Sequence, residues 1–381
     1  MKNKASPLAE SNSHQHCFLK IEQHTTFLAV AAALFAAVFL TASFLPSSTL
    51  VQLGEPMPPT TDAESAQPVG LSPTNMRLEP GASGEAVSVA RTVDLLGRSE
   101  QATRLALLPL ADRMHTLIKQ PSMPPTLLVE AALLRLTMYR RLCGLPEEDL
   151  VIDERLNREA VAAADVCRRL GYLSHTPPNP NVPAAAYELA LRGAGSGNLA
   201  SGMRDLVAAI DAWMDDSDAD NIATLGHRRW CLNPPLKRLG FGQAGRYFVM
   251  WAHDESGQRR FEQPAICFPP AGHVPIDMFR PNHAWSVTLN TRHFAKPNIN
   301  EIGIDIRDGG ISGGENSGPL TMNFLAAENS GYGVPNCIIF RPDDLLTAVG
   351  KNYRITITGL QDHDGQPICL RYSTTFMEPI H

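Results

Sequence analysis

One stretch near the middle of the chain restricts the possible folds more than any other feature: residues 226–242 read GHRRWCLNPPLKRLGFG. Because the residue before a proline is pushed out of the helical region of backbone space, Asn233-Pro234 predicts the end of a helix or the start of a turn. The segment that follows, through Gly240 and Gly242, is typical of a short strand between glycines. His227 is therefore expected just ahead of a break in the backbone. Site residues are common in that position, although a lone histidine there is more often structural.

A second motif lies upstream, where residues 156–160 (LNREA) lead to residues 171–176 (GYLSHT). This pattern, a helix that ends in an aromatic residue and Ser-His, is followed in order by Gly-His-Arg, Leu-Asn-Pro and Gly-x-Gly. Together they resemble the CAP superfamily, which comprises cysteine-rich secretory proteins, antigen 5 and pathogenesis-related proteins. The resemblance covers residues 125–262, about a third of the chain on a domain-size prior.

The resemblance implies a CAP-type α-β-α sandwich and the place of a site. In this family two histidines and two acidic residues converge on a central cavity, and some members bind a divalent metal through the histidines. Carried over by motif, the histidines of this chain are His175 and His227, which makes them candidate ligands of zinc or another divalent metal. Arg228 and Arg229 are expected to pin the loop by hydrogen bonds rather than to bind an anionic ligand.

The acidic positions depart from the family pattern. Many members carry a glutamate before Asn-Ile or Asn-Leu, whereas here Gly197 precedes Asn198, and Ser196 precedes the glycine. The second acid of the family often lies three residues after a tryptophan, where this chain has Asp216, with Asp218 and Asp220 as alternatives. The opposing interpretation of this acidic run is a solvated helix end. The predicted cavity residues are His175, Ser196, Asn198, Asp216, Asp218 and His227.

An apolar segment from Phe27 to Leu45 contains no charged residue and is long enough to cross a bilayer as a helix. Lysines precede it, and neither lysine nor arginine follows until Arg77, so the positive-inside rule places the amino end in the cytoplasm. The segment is either an uncleaved single-pass anchor in the cell membrane or the cleaved signal peptide of a secreted protein. Both alternatives export the rest of the chain. We assign residues 1–24 to a cytoplasmic segment, 25–46 to the anchor or signal peptide and 47–90 to a disordered linker rich in proline and serine.

The composition excludes one class of partner and fits export. A charged fraction of 19% and a net charge of −6 argue against a nucleic-acid-binding protein, which would usually have a basic face. Of seven cysteines, only Cys17 precedes the apolar segment, so an even number lies on the exported side. We expect Cys337 and Cys369 to form a disulfide, because both lie in predicted strands of one small domain. Buried free thiols are the alternative.

Helical periodicity places the expected CAP helices within residues 125–262. Apolar residues recur at spacings of three and four in residues 127–142, in residues 156–170 and in residues 203–214. Asp153 is the expected N-cap of the second of these helices and Gly171 its terminating glycine, which places His175 in the loop beyond.

Between and after these helices, residues 193–202 are rich in glycine and predict a flexible turn, with Ser201 capping the next helix. Residues 246–252 are apolar on both faces, which predicts a central strand. Residues 91–124 have a helical pattern to which we assign no role.

The pattern changes in residues 265–381. Short apolar and alternating runs, separated by clusters of Pro, Gly and Asn, predict a small antiparallel β-sandwich of immunoglobulin-like type. The overall prediction is an α+β chain: an amino-terminal membrane or signal helix, a CAP-type α-β-α sandwich and this β-sandwich.

The resemblance implies extracellular binding rather than defined catalysis. We therefore expect an exported protein that binds a lipid, glycan or protein ligand through the CAP cavity and the β-sandwich. One alternative is a metal-dependent hydrolase or peptidase with His175 and His227 as zinc ligands. Another is a structural surface protein. The sequence contains no HExxH, phosphate-binding loop or nucleophile elbow, so no catalytic residue is assigned.

Overall fold

The computed structural model describes residues 90–120, 124–145, 150–257, 261–310 and 318–380. The expectations for the cytoplasmic segment, the anchor or signal peptide and the linker fall on residues 1–89, which lie outside the described residues. Within the described ranges, no helix is both long and apolar enough to cross a membrane. All of these residues belong to one compact unit.

The first part of the described chain contains six helices and five strands. In chain order these are β1 (Arg91–Asp94), α1 (Glu100–Ile118), α2 (Pro125–Leu142), β2 (Val151–Ile152), α3 (Glu154–Leu170), α4 (Ala184–Gly195), β3 (Gly197–Ser201), α5 (Leu206–Asp215), α6 (Gly226–Cys231), β4 (Arg238–Ala244) and β5 (Tyr247–Trp251). We call residues 125–257 the CAP region.

The remaining strands follow without a long helix between them. They are β6 (Ala265–Phe268), β7 (Gly272–Pro275), β8 (Trp285–Leu289), β9 (Gly303–Asp308), β10 (Met322–Glu328), β11 (Cys337–Pro342), β12 (Asn352–Gln361) and β13 (Pro367–Met377), with a short 3-10 turn at Ile276–Met278. We call residues 261–380 the β region.

The sheet of the CAP region is buried on both faces. Its strand order is β2-β4-β5-β3, and β5 pairs antiparallel with β4 and β3. Tyr247 and Val249 pack against the alanine-rich faces of α3 and α4, while Phe248 and Met250 pack with residues of α2 and α5. Successive side chains of a β-strand point to opposite faces of its sheet, which explains this alternation. It confirms the predicted central strand and gives an α-β-α arrangement.

Close approach of α3 to β4 explains the Gly-x-Gly motif. A Cβ atom at Gly240 would lie 2.3 Å from the carbonyl carbon of Leu156, and one at Gly242 would lie 2.2 Å from that of Ala160. Real Cβ atoms do not approach other carbon atoms so closely. These two glycines therefore let a helix and a strand pack with their backbones nearly in contact.

Two local predictions in the CAP region were wrong. Residues 193–202 are not a flexible turn, because their second half is β3, whose backbone pairs with β5 from Gly197 opposite Trp251 onward. Consequently Ser201 lies in a strand, and Asp205 caps α5 instead by accepting a hydrogen bond from the Ala208 amide at 2.8 Å. The predicted caps of α3 are confirmed: Asp153 at its start and Gly171, with φ of 80°, at its end.

The β region consists of two sheets that meet through aromatic side chains. One sheet has the order β10-β11-β8-β6, and the other β1-β13-β12-β9 with β7 also paired to β13. The Trp285 ring of the first sheet contacts the Tyr353 ring of the second with centroids 6.3 Å apart, and Phe279 contacts both Trp285 and Phe376. The β region is thus rich in strands, as predicted for the carboxyl-terminal part of the chain, and its immunoglobulin-like type stays a prediction.

The expectation that the β region is purely antiparallel was wrong for the pairings of strand β13. At one edge of the second sheet, β1 and β7 each pair in parallel with β13. Strand β1 precedes the CAP region in the chain, so residues 91–94, expected to be part of a helical segment, belong to a sheet of the β region. Helix α1 follows and joins α2 through a hydrogen bond of 2.6 Å from Arg141 Nη1 to the carbonyl of Ala106.

The cysteines of the described residues are buried free thiols. Cys337 lies in β11 and Cys369 in β13, which belong to different sheets. The disulfide expected between them was therefore wrong, since lying in strands of one domain does not bring two residues together.

Candidate functional site

His227 is held by a buried carboxylate. Helix α5 ends at Asp215, and Asp216 caps it in the left-handed conformation with φ of 47°. Its carboxylate Oδ1 lies 2.7 Å from His227 Nδ1, while Oδ2 accepts hydrogen bonds from the amides of His227 at 2.9 Å and Arg228 at 3.3 Å. Asp216 is only 3% exposed. It is therefore not part of a solvated helix end.

Asp218 has a different role from Asp216. It is exposed, and its carboxylate accepts hydrogen bonds from the amide of Asp220 at 3.0 Å and from the side chain of Asn221 at 2.9 Å. These contacts stabilise the turn that leads into α6. The structure thus brings Asp216 to a histidine and uses Asp218 in the turn.

His175 lies in the loop beyond α3, as predicted. Its Nδ1 lies 2.8 Å from the carbonyl oxygen of Ala194, near the end of α4. Burial lowers the pKa of His175, the hydrogen bond to Ala194 opposes that shift, and the charge of His227 lowers the pKa further. His227 on helix α6 therefore acts electrostatically on His175 in the loop beyond α3.

A third imidazole belongs to the same surface. The His253 ring stacks on Trp230 of α6, with ring centroids 4.1 Å apart and an angle of 26° between the planes. Burial, followed by the charge of His175, lowers the pKa of His253 to about 4. His253 directly follows the predicted central strand of residues 246–252, and this position was its only sequence signal. We call His175, Asp216, His227, Trp230 and His253 the histidine site.

Ser196 and Asn198 form hydrogen bonds to the backbone of two histidines of the site. The Ser196 carbonyl accepts hydrogen bonds from the amides of Ala252 at 2.9 Å and His253 at 3.2 Å. Asn198, which is 1% exposed, donates from Nδ2 to the His227 carbonyl at 2.9 Å. Both predicted cavity residues therefore hold the backbone segments that carry the histidines.

The missing family carboxylate has a local reason. A Cβ atom at Gly197 would lie 2.6 Å from the Gly193 carbonyl oxygen and 2.9 Å from a methyl group of Val249. No side chain fits there without moving α4 or β5. This corner of the site therefore lacks an acid because the backbone packs too closely to admit one.

Arg228 fixes the helix that carries His227. It is fully buried. Its guanidinium donates to the carbonyls of Met214 at 2.7 Å and Ala284 at 2.7 Å, and also to that of Asp215. It lies over the Phe268 ring, 4.8 Å from the centroid. Since Ala284 and Phe268 belong to the β region, Arg228 joins the two regions.

Arg229 makes a second connection to the β region. Its Nη2 donates to the carbonyls of Ser330 at 2.8 Å and Val334 at 3.1 Å, and its guanidinium lies 5.6 Å from the centroid of the Tyr332 ring. Both arginines thus have the structural role expected from the sequence. His227 and Trp230 are three residues apart on α6, so both lie on the same face of this helix, the face that belongs to the histidine site.

A cavity of about 10 Å³ lies where α6 meets the β region. Arg228, Arg229, Asn233 and Ser286 are among its lining residues. This volume suits about one water molecule. The Asn233 side chain is 1% exposed and has no hydrogen-bond partner among the described residues, which a single water would supply. The cavity is therefore too small for an organic ligand.

The donor set of the histidine site does not complete a metal centre. A hydrogen bond from Nδ1 that fixes the ring and leaves Nε2 available is typical of metal-ligating histidines, and His175 and His227 both have it. However, the only carboxylate, that of Asp216, is already used by His227. In the part of the chain that the structure describes, no group of three or more His, Cys, Asp or Glu residues could hold a metal ion. A zinc site has at least three protein ligands, and the described residues bring no such set together here.

Comparison with known proteins agrees with this arrangement of motifs. The model of the cysteine-rich secretory protein family, CAP, matches residues 135–247. Among solved structures, an extracellular protein containing an SCP domain from Bacillus anthracis str. Ames is 19% identical, with a TM-score of 0.26. The match covers 34% of this chain and 44% of that chain, so less than half of that protein is represented. No curated protein matches the sequence. The resemblance to the CAP superfamily that the motifs indicated is therefore confirmed by the family model over residues 135–247.

Proposed function

We propose that this chain is an exported binding protein that takes an amphipathic, lipid-like ligand at the histidine site and does not hydrolyse it. The observation that carries the proposal is the state of Asp216, the one carboxylate at the site. It is buried and accepts three hydrogen bonds from His227 and Arg228. A carboxylate in that state orients His227 and is not free to activate water.

The neighbouring hydroxyl group also argues for binding rather than hydrolysis. Ser174 adjoins His175 in sequence, but its Oγ accepts a hydrogen bond from the Thr176 amide at 3.1 Å, and His175 Nδ1 is directed to Ala194 instead. A nucleophile needs a base within hydrogen-bond reach. The geometry gives Ser174 a turn-stabilising contact and directs His175 Nδ1 elsewhere, which argues against a serine nucleophile.

An apolar rim next to the imidazoles favours a lipid-like ligand over a glycan. Tyr172 and Leu173, three and two residues before His175, are 49% and 38% exposed. Exposed large apolar side chains beside a polar site match a ligand with an apolar body and a polar end. Delivery of such a ligand outside the cytoplasm agrees with the apolar segment Phe27 to Leu45, which supports export or membrane anchoring.

The test measures binding of a fluorescent lipid probe to the full chain. A BODIPY-labelled fatty alcohol and the fatty acid of the same chain length are titrated, and fluorescence anisotropy reports binding. Replacing Tyr172 and Leu173 together by Ala should weaken binding of the preferred probe by about tenfold, because two rim contacts are lost. Leu346→Ala is the matched control, since Leu346 is 64% exposed in the β region, and it should leave binding unchanged.

The same samples also test the hydrolase alternative. A fluorogenic fatty-acid ester is incubated with the full chain and with a His227→Ala variant. We expect no turnover above the uncatalysed rate in either sample. Turnover that depends on His227, or equal probe binding by the rim variant and the intact chain, would contradict the proposal.

A further inference from the structure

The cavity where α6 meets the β region is bordered by hydrogen-bond donors that the protein does not use. Arg229 is 5% exposed, and its Nε is buried without a hydrogen-bond partner among the described residues. Asn233 is also buried, and its Nδ2 lacks a partner in the same part of the chain. Both residues line the cavity. Because a buried donor without an acceptor costs free energy, these two groups indicate an occupant that accepts hydrogen bonds.

The amide oxygen of Asn233 has a different neighbour from the amide nitrogen. A Cβ atom at Gly333 would lie 3.0 Å from Asn233 Oδ1, so this oxygen lies against the backbone of the β region. The nitrogen is on the other branch of the amide and diverges from that contact. Nδ2 is therefore the polar atom of Asn233 that remains for the cavity.

Ser286 on β8 supplies a third donor. Its Oγ accepts a hydrogen bond from Arg228 Nη1 at 3.3 Å, which leaves the hydroxyl hydrogen for another acceptor. Ser286 is buried and lines the same cavity. A hydroxyl group that accepts from a guanidinium is polarised, and it then donates a stronger hydrogen bond of its own. The Ser286 hydroxyl is thus prepared to donate to an occupant.

Arg229 also brings a buried positive charge to the cavity. Its partners among the described residues are backbone carbonyls, including those of Ser330 and Val334, and the ring of Tyr332. Carbonyl dipoles and a ring only partly compensate a full charge that is removed from water. A negative charge in the adjoining cavity would complete the compensation.

We propose that this cavity is a binding site for a single monatomic anion, chloride, held by Arg229 Nε, Asn233 Nδ2 and the Ser286 hydroxyl group. A volume of about 10 Å³ admits one particle of about the size of water. Phosphate, sulfate and carboxylates have several heavy atoms and do not fit. The inference concerns the junction of the two regions and does not depend on the function proposed for the histidine site.

A water molecule would fit the same space, but the donors and the charge favour an anion. Water has two hydrogens of its own and needs acceptors for them as well as donors. The three groups named above are all donors, and chloride accepts from each of them with no hydrogen to place. Chloride also neutralises Arg229, which water does not.

Bound chloride would connect the CAP region to the β region. Arg229 belongs to α6 and Asn233 to the turn after it, whereas Ser286 belongs to β8. An anion that accepts hydrogen bonds from both sides stabilises the position of α6, the helix that carries His227. A ligand that binds only the folded chain also raises the stability of that chain.

The first experiment compares thermal unfolding of the full chain in sodium chloride and in sodium gluconate. Both salts are used at about 0.2 M and about pH 7.5, so they screen surface charges equally, and gluconate is too large for the cavity. We expect unfolding at a temperature about 2 °C higher in chloride, because chloride binds only the folded chain.

A change of one side-chain group tests the site itself. Asn233→Asp replaces the amide donor by a carboxylate, which neutralises Arg229 and repels chloride. The difference between the two salts should disappear, and the variant in gluconate should be at least as stable as the intact chain. Asn300→Asp is the matched control, since Asn300 is exposed in the β region and the change of charge is the same. This control should keep the difference.

Chlorine NMR measures the binding directly. The chloride resonance should broaden saturably with the intact chain and with Asn300→Asp, but not with Asn233→Asp. Ser286→Ala, which removes one donor without adding a charge, should weaken the broadening, and it serves as the test if Asn233→Asp does not fold.

Three results would overturn the proposal. Absence of saturable broadening with the intact chain would mean that the cavity holds water. Equal differences between the salts in the intact chain and all variants would mean a general salt effect. Unchanged broadening in Ser286→Ala and Asn233→Asp would place the chloride elsewhere on the chain.

Discussion

The CAP region and the β region use opposite ways of filling a core. In the CAP region, helix and sheet approach so closely that Gly240 and Gly242 have no room for a Cβ atom. In the β region, two sheets are held apart by large rings, with fully buried Trp285 at their centre. The helix–sheet packing of the CAP region tolerates no added atom, whereas the packing of the two sheets depends on the volume of their aromatic side chains.

The difference also separates the site from its support. The histidine site lies on loops and short elements of the CAP region, while the β region supplies carbonyl groups and rings that hold α6 in place. Arg228 and Arg229 carry this connection, with partners at Ala284 and Ser330. The CAP region thus presents the chemistry, and the β region fixes the helix from which His227 projects.

Breaking the connection at Arg228 should have the largest effect. Replacing Arg228 by Met leaves the buried carbonyls of Met214, Asp215 and Ala284 without their donor. We expect the free energy of unfolding to fall by about 4 kcal/mol. Urea denaturation followed by circular dichroism measures the loss. A single transition is expected for the intact chain, because both regions share one hydrophobic core.

A surface arginine provides the control for this variant. The Arg307 guanidinium is half exposed, and its partner among the described residues is Asp305. Arg307→Met should leave the free energy of unfolding nearly unchanged, because an exposed ion pair contributes little. Equal losses for the two variants, or separate unfolding of the two regions, would show that Arg228 does not couple them.

The tight core of the CAP region is tested by one added methyl group. Gly242→Ala places a Cβ atom 2.2 Å from the carbonyl carbon of Ala160, which forces α3 away from β4. We expect a loss of about 3 kcal/mol in the free energy of unfolding, measured by urea denaturation. Gly331→Ala is the control, since no atom lies within 4 Å of the added Cβ at that position. Similar stability of both variants would mean that the close packing is not needed.

Local patterns in the sequence were enough to predict the elements that carry their own signal. Helices α2, α3 and α5 have apolar stripes, β5 is apolar on both faces, and Asp153 and Gly171 mark the ends of α3. Because His175 lies just beyond Gly171, its loop position could also be predicted. The pairing of Asp216 with His227 was anticipated only through the family motif.

The elements that were missed depend on distant partners. Strand β3 looked like a flexible turn because it is rich in small residues, and its pairing with β5 is what makes it a strand. Strand β1 has four residues, and its partner β13 lies near the other end of the described chain. His253 belongs to the histidine site because its ring stacks on Trp230. No local pattern encodes such a contact.

The smallest of the expected effects concerns pH and distinguishes the site from the rest of the molecule. The pKa of His253 falls from its ordinary value of 6.5 to about 4 on folding, first because of burial and then because of His175. Between these values the unfolded chain binds the proton more readily, so stability is present at neutral pH and is lost as the pH falls. We expect this group to contribute a loss of about 2 kcal/mol between about pH 7 and about pH 4.5.

A variant that keeps the ring stack but cannot ionise isolates this contribution. His253→Phe retains an aromatic ring against Trp230, so urea denaturation across this pH range should show a shallower loss of stability than in the intact chain. Burial also lowers the pKa of His283 at the junction with the β region, and the remaining slope is assigned to this residue and to His175. An unchanged slope in His253→Phe would mean that His253 is solvated, and its place in the histidine site would then be untenable. A shallower slope would show that His253 contributes to the loss of stability in acid.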